Sequence, residues 1–156
     1  MKKTNVMRLL EQANIPYQFK EYAYCEQDLS GVHAAEELGF PPEMVFKTLV
    51  AVGDKTGPCV FVIPVAEELD LKRAAVVSGN KKVEMVHVRD LLGLTGYIRG
   101  GCSPIGMKKK FPTFFDRAIE LVDSVSVSAG ARGCQVLVNA TQLIEYTHGE
   151  VCDLIK

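Results

Sequence analysis

The segment GYIRGGCSPIGMKKK, residues 96–110, combines residue types that could bind the oxygen atoms of a ligand. Gly100 and Gly101 can adopt positive φ, which lets the backbone turn sharply and approach a ligand closely. Consecutive turned residues can direct several N–H groups toward one carbonyl or phosphate oxygen. The three lysines Lys108–Lys110 place positive charge beside them. The pattern therefore predicts an oxygen-binding loop next to an anion-binding edge, although a plain turn with a solvated lysine run would explain the same residues.

Lys47 is a second candidate for chemistry because of the strand in which it lies. The run VFKTLVAV, residues 45–52, is typical of a β-strand, and both of its faces are largely apolar. Such a strand is expected to be covered on both sides. Lysine is rarely buried without a partner, so the ammonium group either reaches water along the surface or is used in a pocket. The sequence leaves both interpretations open.

Standard catalytic and metal-binding motifs do not occur in the chain. The five cysteines are widely spaced and form no CxxC pair, which excludes the common zinc patterns. There is no P-loop, GxGxxG, GxSxG or HExxH, and the three histidines are scattered. Cys102 lies in the 96–110 segment without an evident activating base, so a small packing thiol is favoured over a nucleophile. An enzyme of this kind, without metal or cofactor, is expected to act by positioning and charge stabilisation.

Composition points to a soluble, reduced, cytoplasmic protein with one domain, residues 1–156. Apolar residues make up 47% and charged residues 24% of the chain, and the net charge is −1. A nucleic acid would therefore have to be bound by a local basic patch. No segment approaches the roughly 20 apolar residues of a membrane span, no signal peptide is evident, and widely spaced cysteines fit a reducing compartment.

Apolar periodicity and turn residues predict many short strands with helices inserted between them. Helices are predicted from Thr4 to Asn14 and at 31–38, 71–77, 87–92 and 140–146. Strands are predicted at 17–22, 45–52, 59–65, 83–86, 97–99, 111–115, 119–122, 125–127 and 134–138, with 151–155 as a last strand or a segment folded on the core. Pro64 indicates an edge strand or a strand end. The order predicts an α+β fold with a curled, mixed, mostly antiparallel sheet or barrel and peripheral helices.

Five segments together resemble one known family more specifically than any of them does alone. They are VFKTLVA, LDLKRAA, KKVEMV, TGYIRGGCSPIGMKKK and VSAGARG, in this order. The combination resembles the YbaK/EbsC family from about Thr4 to Ile155. That family comprises bacterial trans-editing proteins that deacylate Cys-tRNA(Pro) and are related to the editing domain of bacterial prolyl-tRNA synthetases. The resemblance implies this fold, a Cys-tRNA(Pro) deacylase activity and no metal or cofactor.

The resemblance also implies roles for individual residues. It implies that Lys47 is the essential lysine and that the Gly101 N–H helps hold the substrate carbonyl. It places the following residues at the substrate: Tyr22, Gly100, Ser103, Ser128, Gly130 and Arg132. Because a cysteinyl ester carries its own thiol, the family mechanism needs no enzyme nucleophile.

Two positions depart from the family pattern and affect the expected shape of the pocket. Cys102 replaces the isoleucine of the GGISP sequence that family members often carry. Gln135 stands where some members have an acidic residue. Both departures leave the amino-acid preference of the pocket open.

The expected partners are tRNA(Pro) charged with cysteine and prolyl-tRNA synthetase, with no membrane and no DNA. Cations available for the acceptor stem are Lys72, Arg73, Lys81, Lys82, Lys108, Lys109 and Lys110. Two alternatives remain: a deacylase for another small ester such as Ala-tRNA(Pro), and a tRNA- or synthetase-binding module without catalysis.

Overall fold

The protein, described by a computed structural model for residues 2–156, forms two β-sheets surrounded by helices. The α-helices are α1 (Asn5–Gln12), α2 (Gly31–Leu38), α3 (Leu71–Ser78), α4 (Val88–Thr95) and α5 (Ala140–Thr147). The strands are β1 (Tyr17–Glu21), β2 (Phe46–Gly53), β3 (Gly57–Pro64), β4 (Val83–Met85), β5 (Thr113–Asp116), β6 (Ser124–Ser128), β7 (Cys134–Asn139) and β8 (Glu150–Cys152). Short 3₁₀ helices span Pro42–Met44 and Arg117–Leu121.

The topology confirms the predicted mixed, mostly antiparallel α+β fold. One sheet has the order β1-β7-β6 and is antiparallel throughout. The other has the order β4-β2-β3-β5-β8, with antiparallel pairing around β2 and parallel pairing around β5. A parallel bridge between Val45 and Ser126 connects the two sheets. Neither sheet is closed within residues 2–156, so the open, curled form and not the barrel is the one observed.

Strand β2 is covered on both faces, as its apolar sequence predicts. On one face, Phe46 of β2 and Val62 of β3 belong to the core shared with the three-stranded sheet. On the opposite face, Ala51 and Ile63 pack with Ala74 of α3. The residues of β2 alternate between these two cores because successive side chains of a strand point to opposite faces.

The predicted helix starts are confirmed by side-chain caps. The Thr4 hydroxyl accepts a hydrogen bond from the Met7 N–H at 3.2 Å. Asp70 and Asn139 accept backbone N–H groups in the same way at the starts of α3 and α5. These caps satisfy donors that the first helical turn leaves free.

Two predicted strands are wrong, and one alternative is resolved. Residues 97–99 form no strand and enter a turn, and residues 119–122 fall mostly within a 3₁₀ helix. In the second case the Asp116 carboxylate accepts the Ala118 N–H at 2.9 Å, and this cap favours a helical turn over an extended chain. Pro64 marks the end of β3, which is an interior strand and not an edge.

The described helices are all short. Within residues 2–156, none has the length and apolar character needed to cross a lipid bilayer.

Candidate active site

A cavity of about 430 Å³ opens beside β2 and is called the β2 cavity here. Strand β2 pairs with β3 along its whole length but with β4 only through Ala51–Gly53. Between these residues and the Val45–Ser126 bridge, β2 therefore has an edge that pairs with no strand, and the cavity lies along it. The polar residues that line the cavity are Tyr22, Ser30, Lys47, Thr48, Arg99, Cys102, Ser128 and Gln135.

Lys47 is partly buried at the wall of this cavity. Burial lowers the pKa of its ammonium group, and the nearby charges of Glu68 and Glu67 offset part of that decrease. In the register of the sheet, Lys47 lies opposite Ile63. The ammonium group is thus partly removed from water, where its attraction for an anion is stronger than at an open surface.

The glycine–lysine loop, residues 96–110, meets the cavity through a tight turn. The Gly101 N–H donates to the Ile98 carbonyl at 3.0 Å, and Gly100 has φ +87°. These features match a type II turn, which requires positive φ at its third residue. The Arg99 carbonyl accepts a hydrogen bond from Arg132 Nε at 2.8 Å.

The same turn makes Gly100, and not Gly101, the better candidate for the donor to a substrate carbonyl. Gly100 lines the cavity, whereas Gly101 does not, and the Gly101 N–H is already bonded to Ile98. In a trans peptide the C=O and the following N–H point in opposite directions. Because the Arg99 carbonyl points to Arg132, the Gly100 N–H points away from it. The donor role predicted for Gly101 therefore fits Gly100.

Gly101 is needed for close packing between two loops. A Cβ atom at this position would lie 3.2 Å from both the carbonyl carbon of Ala131 and the backbone nitrogen of Arg132. These residues belong to the SAGARG loop, residues 128–133. The backbones of the two loops are thus in direct contact, and a side chain at Gly101 would force them apart.

Three further residues predicted to contact substrate do not line the cavity: Ser103, Gly130 and Arg132. The Ser103 side chain is fully buried, and its hydroxyl accepts the Ile105 N–H at 3.3 Å. Gly130 has φ +95° and packs under the ring of Tyr97, whose hydroxyl donates to the Ile105 carbonyl. Gly130 and Arg132 thus join the two loops at the edge of the site, whereas Ser103 stabilises the glycine–lysine loop internally.

Tyr22, Ser128 and Gln135 line the β2 cavity together. Ser128 and Gln135 are directly opposite each other in the register of β6 and β7. The Gln135 side-chain oxygen accepts a hydrogen bond from the Ser126 hydroxyl at 3.0 Å. Burial raises the pKa of Tyr22, although hydrogen bonds with the Gly133 backbone and Gln135 oppose this. Tyr22 is therefore a neutral hydroxyl at physiological pH.

Cys102 lines the cavity as a neutral thiol. Burial raises its pKa to about 12, and a hydrogen bond with Thr95 offsets the shift only in part. A thiol of this kind is a weak nucleophile near neutral pH because only the thiolate attacks effectively.

Sequence reasoning missed three of the polar lining residues: Ser30, Thr48 and Arg99. The Thr48 hydroxyl oxygen is buried, and no other group in residues 2–156 hydrogen-bonds with it. A signal existed in the sequence, since Thr48 is the polar residue between Phe46 and Val50 on one face of β2. Nothing in the sequence indicated Arg99, because its position depends on the turn.

Comparisons with known proteins decide the family of the chain. A family model described as the aminoacyl-tRNA editing domain matches residues 29–146. The chain belongs to this family. It is 51% identical over 152 residues to a protein of Enterococcus faecalis (strain ATCC 700802 / V583), with 97% of this chain and 93% of the relative covered. That relative carries the provisional name Cys-tRNA(Pro)/Cys-tRNA(Cys) deacylase EbsC, which confirms the YbaK/EbsC resemblance.

Two more distant matches agree with this assignment. Over 100 residues the editing domain is 29% identical to a proline–tRNA ligase of Shouchella clausii (strain KSM-K16), covering 64% of this chain and 17% of the ligase. A crystal structure provisionally described as a trans-editing enzyme for prolyl-tRNA synthetase superimposes with a TM-score of 0.83 at 23% identity, covering 97% of this chain and 94% of the other. The structural likeness supports the fold.

The predicted tRNA-binding cations of the editing domain lie in separate places and do not line the β2 cavity. Lys109 and Lys110 line a second, open groove of about 990 Å³ between α1, α5 and the end of the glycine–lysine loop, called the α1–α5 groove here. The Lys108 side chain packs near Gly96. Lys72 and Arg73 lie in the first turn of α3.

Lys81 and Lys82 are exposed before β4, where Lys82 forms a 2.9 Å ion pair with Glu84.

Acidic and metal-ligating groups are not gathered at the site. Among the described residues that line the β2 cavity, none is aspartate, glutamate or histidine. Residues 2–156 also contain no group of three or more histidine, cysteine, aspartate or glutamate side chains placed to hold a metal ion. The groups that can act on a ligand here are one ammonium, one guanidinium, one carboxamide, one neutral thiol, neutral hydroxyls and backbone N–H groups.

Proposed function

We propose that this editing domain deacylates Cys-tRNA(Pro). The observation that carries the proposal is the β2 cavity, where the partly desolvated Lys47 and the backbone of Gly100 line one small space. The 51% identity to a relative named for the same activity supports it. An ester entering this space can be held electrostatically by Lys47 and by a donor at its carbonyl oxygen.

The size of the cavity fits the charged end of a tRNA. Ligand sites for small molecules are typically about 300–1,000 Å³, and the β2 cavity has a volume of about 430 Å³. It can take an aminoacyl group with part of the terminal nucleoside but not the acceptor stem. The remainder of the tRNA would lie on the outer surface of the protein.

The residues of the cavity favour a reaction in which the substrate supplies the nucleophile. Cys102 is a neutral thiol, Tyr22 is a neutral hydroxyl, and no carboxylate or imidazole lies among the described lining residues to act as a base. In the mechanism that the family resemblance implies, the thiol of the cysteinyl group attacks its own carbonyl carbon. A carbon–sulfur bond forms, the ester carbon–oxygen bond breaks, the thiol proton passes to the departing ribose oxygen, and cysteine leaves as a cyclic thiolactone.

The protein would accelerate this reaction by positioning and by charge. Fixing the thiol close to the carbonyl removes much of the entropic cost of the attack. The Gly100 N–H stabilises the negative oxygen of the tetrahedral intermediate. Lys47 holds an anionic group of the terminal nucleotide or the ester oxygens as a point charge.

Prolyl-tRNA synthetase is the proposed partner, since it forms the mischarged tRNA. The match to a proline–tRNA ligase supports a shared substrate. The proposed place of action is the cytoplasm, where tRNA is charged. A pull-down of the synthetase with and without tRNA(Pro) tests the partnership directly.

Deacylation assays with a panel of charged tRNAs test the proposed activity. We expect the wild type to release cysteine from Cys-tRNA(Pro), and Lys47→Ala to lower the rate by about 100-fold or more, since this is the usual loss when one stabilising group is removed. Lys55→Ala, in the exposed β2–β3 turn, is the matched control and should behave as wild type.

Two outcomes distinguish the alternatives. Rapid turnover of Ala-tRNA(Pro), which has no thiol, would contradict substrate cyclisation. Salt-sensitive binding of tRNA without accelerated release of any amino acid would leave a binding module and refute the enzyme.

A further inference from the structure

Arg132 lies outside the β2 cavity but is bonded to the turn that enters it. Its Nε–H donates to the Arg99 carbonyl at 2.8 Å. The two residues are far apart in sequence and belong to different loops, so this hydrogen bond joins the SAGARG loop to the glycine–lysine loop.

The hydrogen bond from Arg132 fixes the orientation of the peptide group between Arg99 and Gly100, and not only the Arg132 side chain. The Arg99 carbonyl belongs to the same planar peptide as the Gly100 N–H. A hydrogen bond that holds the carbonyl in one direction therefore holds the N–H in the opposite direction. Since Gly100 lines the cavity and Arg132 does not, the side of the peptide away from Arg132 is the side available to a ligand.

Packing around Gly100 supports the same arrangement. A Cβ atom at Gly100 would lie 3.4 Å from Arg132 Nε and 3.5 Å from Arg132 Cγ. The arginine side chain therefore packs against the turn as well as bonding to it. On the next residue, the Gly101 N–H closes the turn by donating to the Ile98 carbonyl.

A peptide in a turn can flip by rotating about two backbone dihedrals, which separates a type II turn from a type I turn. Such a flip would direct the Arg99 carbonyl toward the ligand and remove the Gly100 N–H from it. The bond to Arg132 opposes this flip, because it would be lost in the flipped state.

We propose that Arg132 is a positioning residue that holds the Ile98–Gly101 turn so that the Gly100 N–H faces the substrate carbonyl. This inference rests on the proposed deacylase function. It differs from direct substrate binding by Arg132, because the arginine would act through the turn and would leave substrate affinity nearly unchanged.

The test compares Arg132→Met, Arg132→Lys and Arg117→Met. The last is a matched control, since Arg117 Nε also forms a hydrogen bond, to Asp153 at 3.1 Å, away from the cavity. Two readouts are needed: kcat and KM for Cys-tRNA(Pro), and the NMR NOE between the Arg99 Hα and the Gly100 amide proton, which is strong in a type II turn and weak once the peptide has flipped.

We expect Arg132→Met to lower kcat by about 10- to 100-fold, less than the 10²- to 10³-fold loss of a whole oxyanion donor, with KM changed by less than about threefold. The NOE between the Arg99 Hα and the Gly100 amide proton should weaken, because a fraction of the molecules then has the flipped peptide. Arg132→Lys should recover part of both losses, since an ammonium can still donate to the Arg99 carbonyl. Arg117→Met should match wild type in both readouts.

The readouts separate this inference from the proposed function. An unchanged NOE between Arg99 and Gly100 in Arg132→Met, or a loss confined to KM, overturns the positioning role even when the wild type is active. If the wild type deacylates nothing, the proposed function fails. Dependence of the Arg99–Gly100 NOE on Arg132 would still support the positioning of the turn, and independence would refute it.

Discussion

Burial at the β2 cavity shifts three ionisable side chains toward their neutral forms. It lowers the pKa of Lys47 and raises those of Tyr22 and Cys102. Desolvation acts on the charged form of each group, so the direction depends on which form is charged. Only Lys47 has nearby opposite charges, from Glu68 and Glu67, that favour its charged form. The cavity therefore combines one supported cation with neutral hydrogen-bonding groups.

Cys102 provides the prediction at the scale of a residue. We expect Cys102→Ser to retain deacylation of Cys-tRNA(Pro) within about threefold, because a thiol with a pKa of about 12 is not ionised at neutral pH. Mass spectrometry of a quenched reaction should find no acyl-enzyme. Wild-type Cys102, whose pKa burial raises, should also react with iodoacetamide at pH 8 more slowly than Cys25, which lies outside the cavity and is the internal control.

The same raised pKa predicts a dependence of stability on pH. Below about pH 9 the thiol is protonated in both the folded and the unfolded chain, so the free energy of unfolding is not reduced by its ionisation. Between about pH 9 and 12 the unfolded chain loses the proton first, so stability falls as pH rises. In denaturant titrations wild type should lose more stability over this range than Cys102→Ser. Rapid alkylation at pH 8, or an inactive serine variant that is folded, would contradict the neutral thiol.

The element that organises the site is the contact between two glycine-containing loops. The Tyr97 hydroxyl bonds to the Ile105 carbonyl within the glycine–lysine loop, and its ring lies over Gly130 of the SAGARG loop. A Cβ at Gly130 would be 3.1 Å from the Tyr97 ring and 3.2 Å from Val6 Cγ2. Tyr97 therefore stabilises the glycine–lysine loop through its hydroxyl group and packs through its ring against the SAGARG loop.

We expect Gly130→Ala to destabilise the protein and reduce activity together. Its φ of +95° is strained for alanine, and the added methyl group would displace Tyr97. Gly79→Ala is the matched control, because Gly79 has φ +77° but a methyl group added there would meet no atom within 4 Å. Strain alone costs about 1–2 kcal/mol, and a forced contact in a packed site adds about 1–3 kcal/mol.

Urea unfolding of both variants, with deacylation assays, separates the two effects. Gly79→Ala should show only the loss of stability caused by backbone strain. It should retain full activity at temperatures where it is folded. Equal destabilisation by both substitutions would show that Tyr97 moves away from the added methyl group at little cost in free energy.

Short-range sequence signals were sufficient to predict most helices and strands, but they were insufficient to predict how the residues of the site are arranged. Thr4, Asp70 and Asn139 are caps whose effect is confined to one helical turn, so they could be recognised without knowledge of the fold. Residues 97–99 have strand-forming types, but tertiary contacts place them in a turn. Ser128 and Gln135 face each other only because β6 and β7 pair in one register.

The glycine–lysine loop is a clear example of what could not be predicted from the sequence. Two adjacent glycines predicted a tight turn with exposed N–H groups, and a turn is present. Which N–H remains free depends on the Ile98 carbonyl and on Arg132, which lies in another loop. Sequence patterns describe what a segment can do, whereas the direction of one peptide is set by its partners in space.

At the scale of the whole molecule, charge is nearly balanced, and the predicted tRNA-binding cations are not concentrated in one element of the fold. The net charge is −1, and the predicted tRNA-binding lysines and arginines are divided among three regions. Lys82 is paired with Glu84 at 2.9 Å, and Arg73 lies 3.8 Å from Asp70. These partners reduce the free energy that a phosphate contact can gain, because a bound phosphate must compete with a carboxylate.

Lys109 and Lys110 are the better placed pair for phosphate contacts. Both are exposed, and both line the α1–α5 groove at the end of the loop that begins at the β2 cavity. We expect the double variant Lys109→Ala/Lys110→Ala to weaken tRNA(Pro) binding and to reduce the slope of log Kd against log salt by up to about 1.8, the value for two lost phosphate contacts. Filter binding between 50 and 200 mM salt, about the range over which such contacts weaken strongly, measures both effects.

Lys55→Ala and Lys82→Ala complete this experiment as controls of different kinds. Lys55 lies in the β2–β3 turn and should leave the slope unchanged, whereas Lys82 should have a smaller effect than Lys109 or Lys110 because a bound phosphate would compete with Glu84. An unchanged slope in the Lys109/Lys110 variant would show that the tRNA avoids the α1–α5 groove. The acceptor stem would then have to approach the β2 cavity from the side of α3, where Lys72 and Arg73 lie.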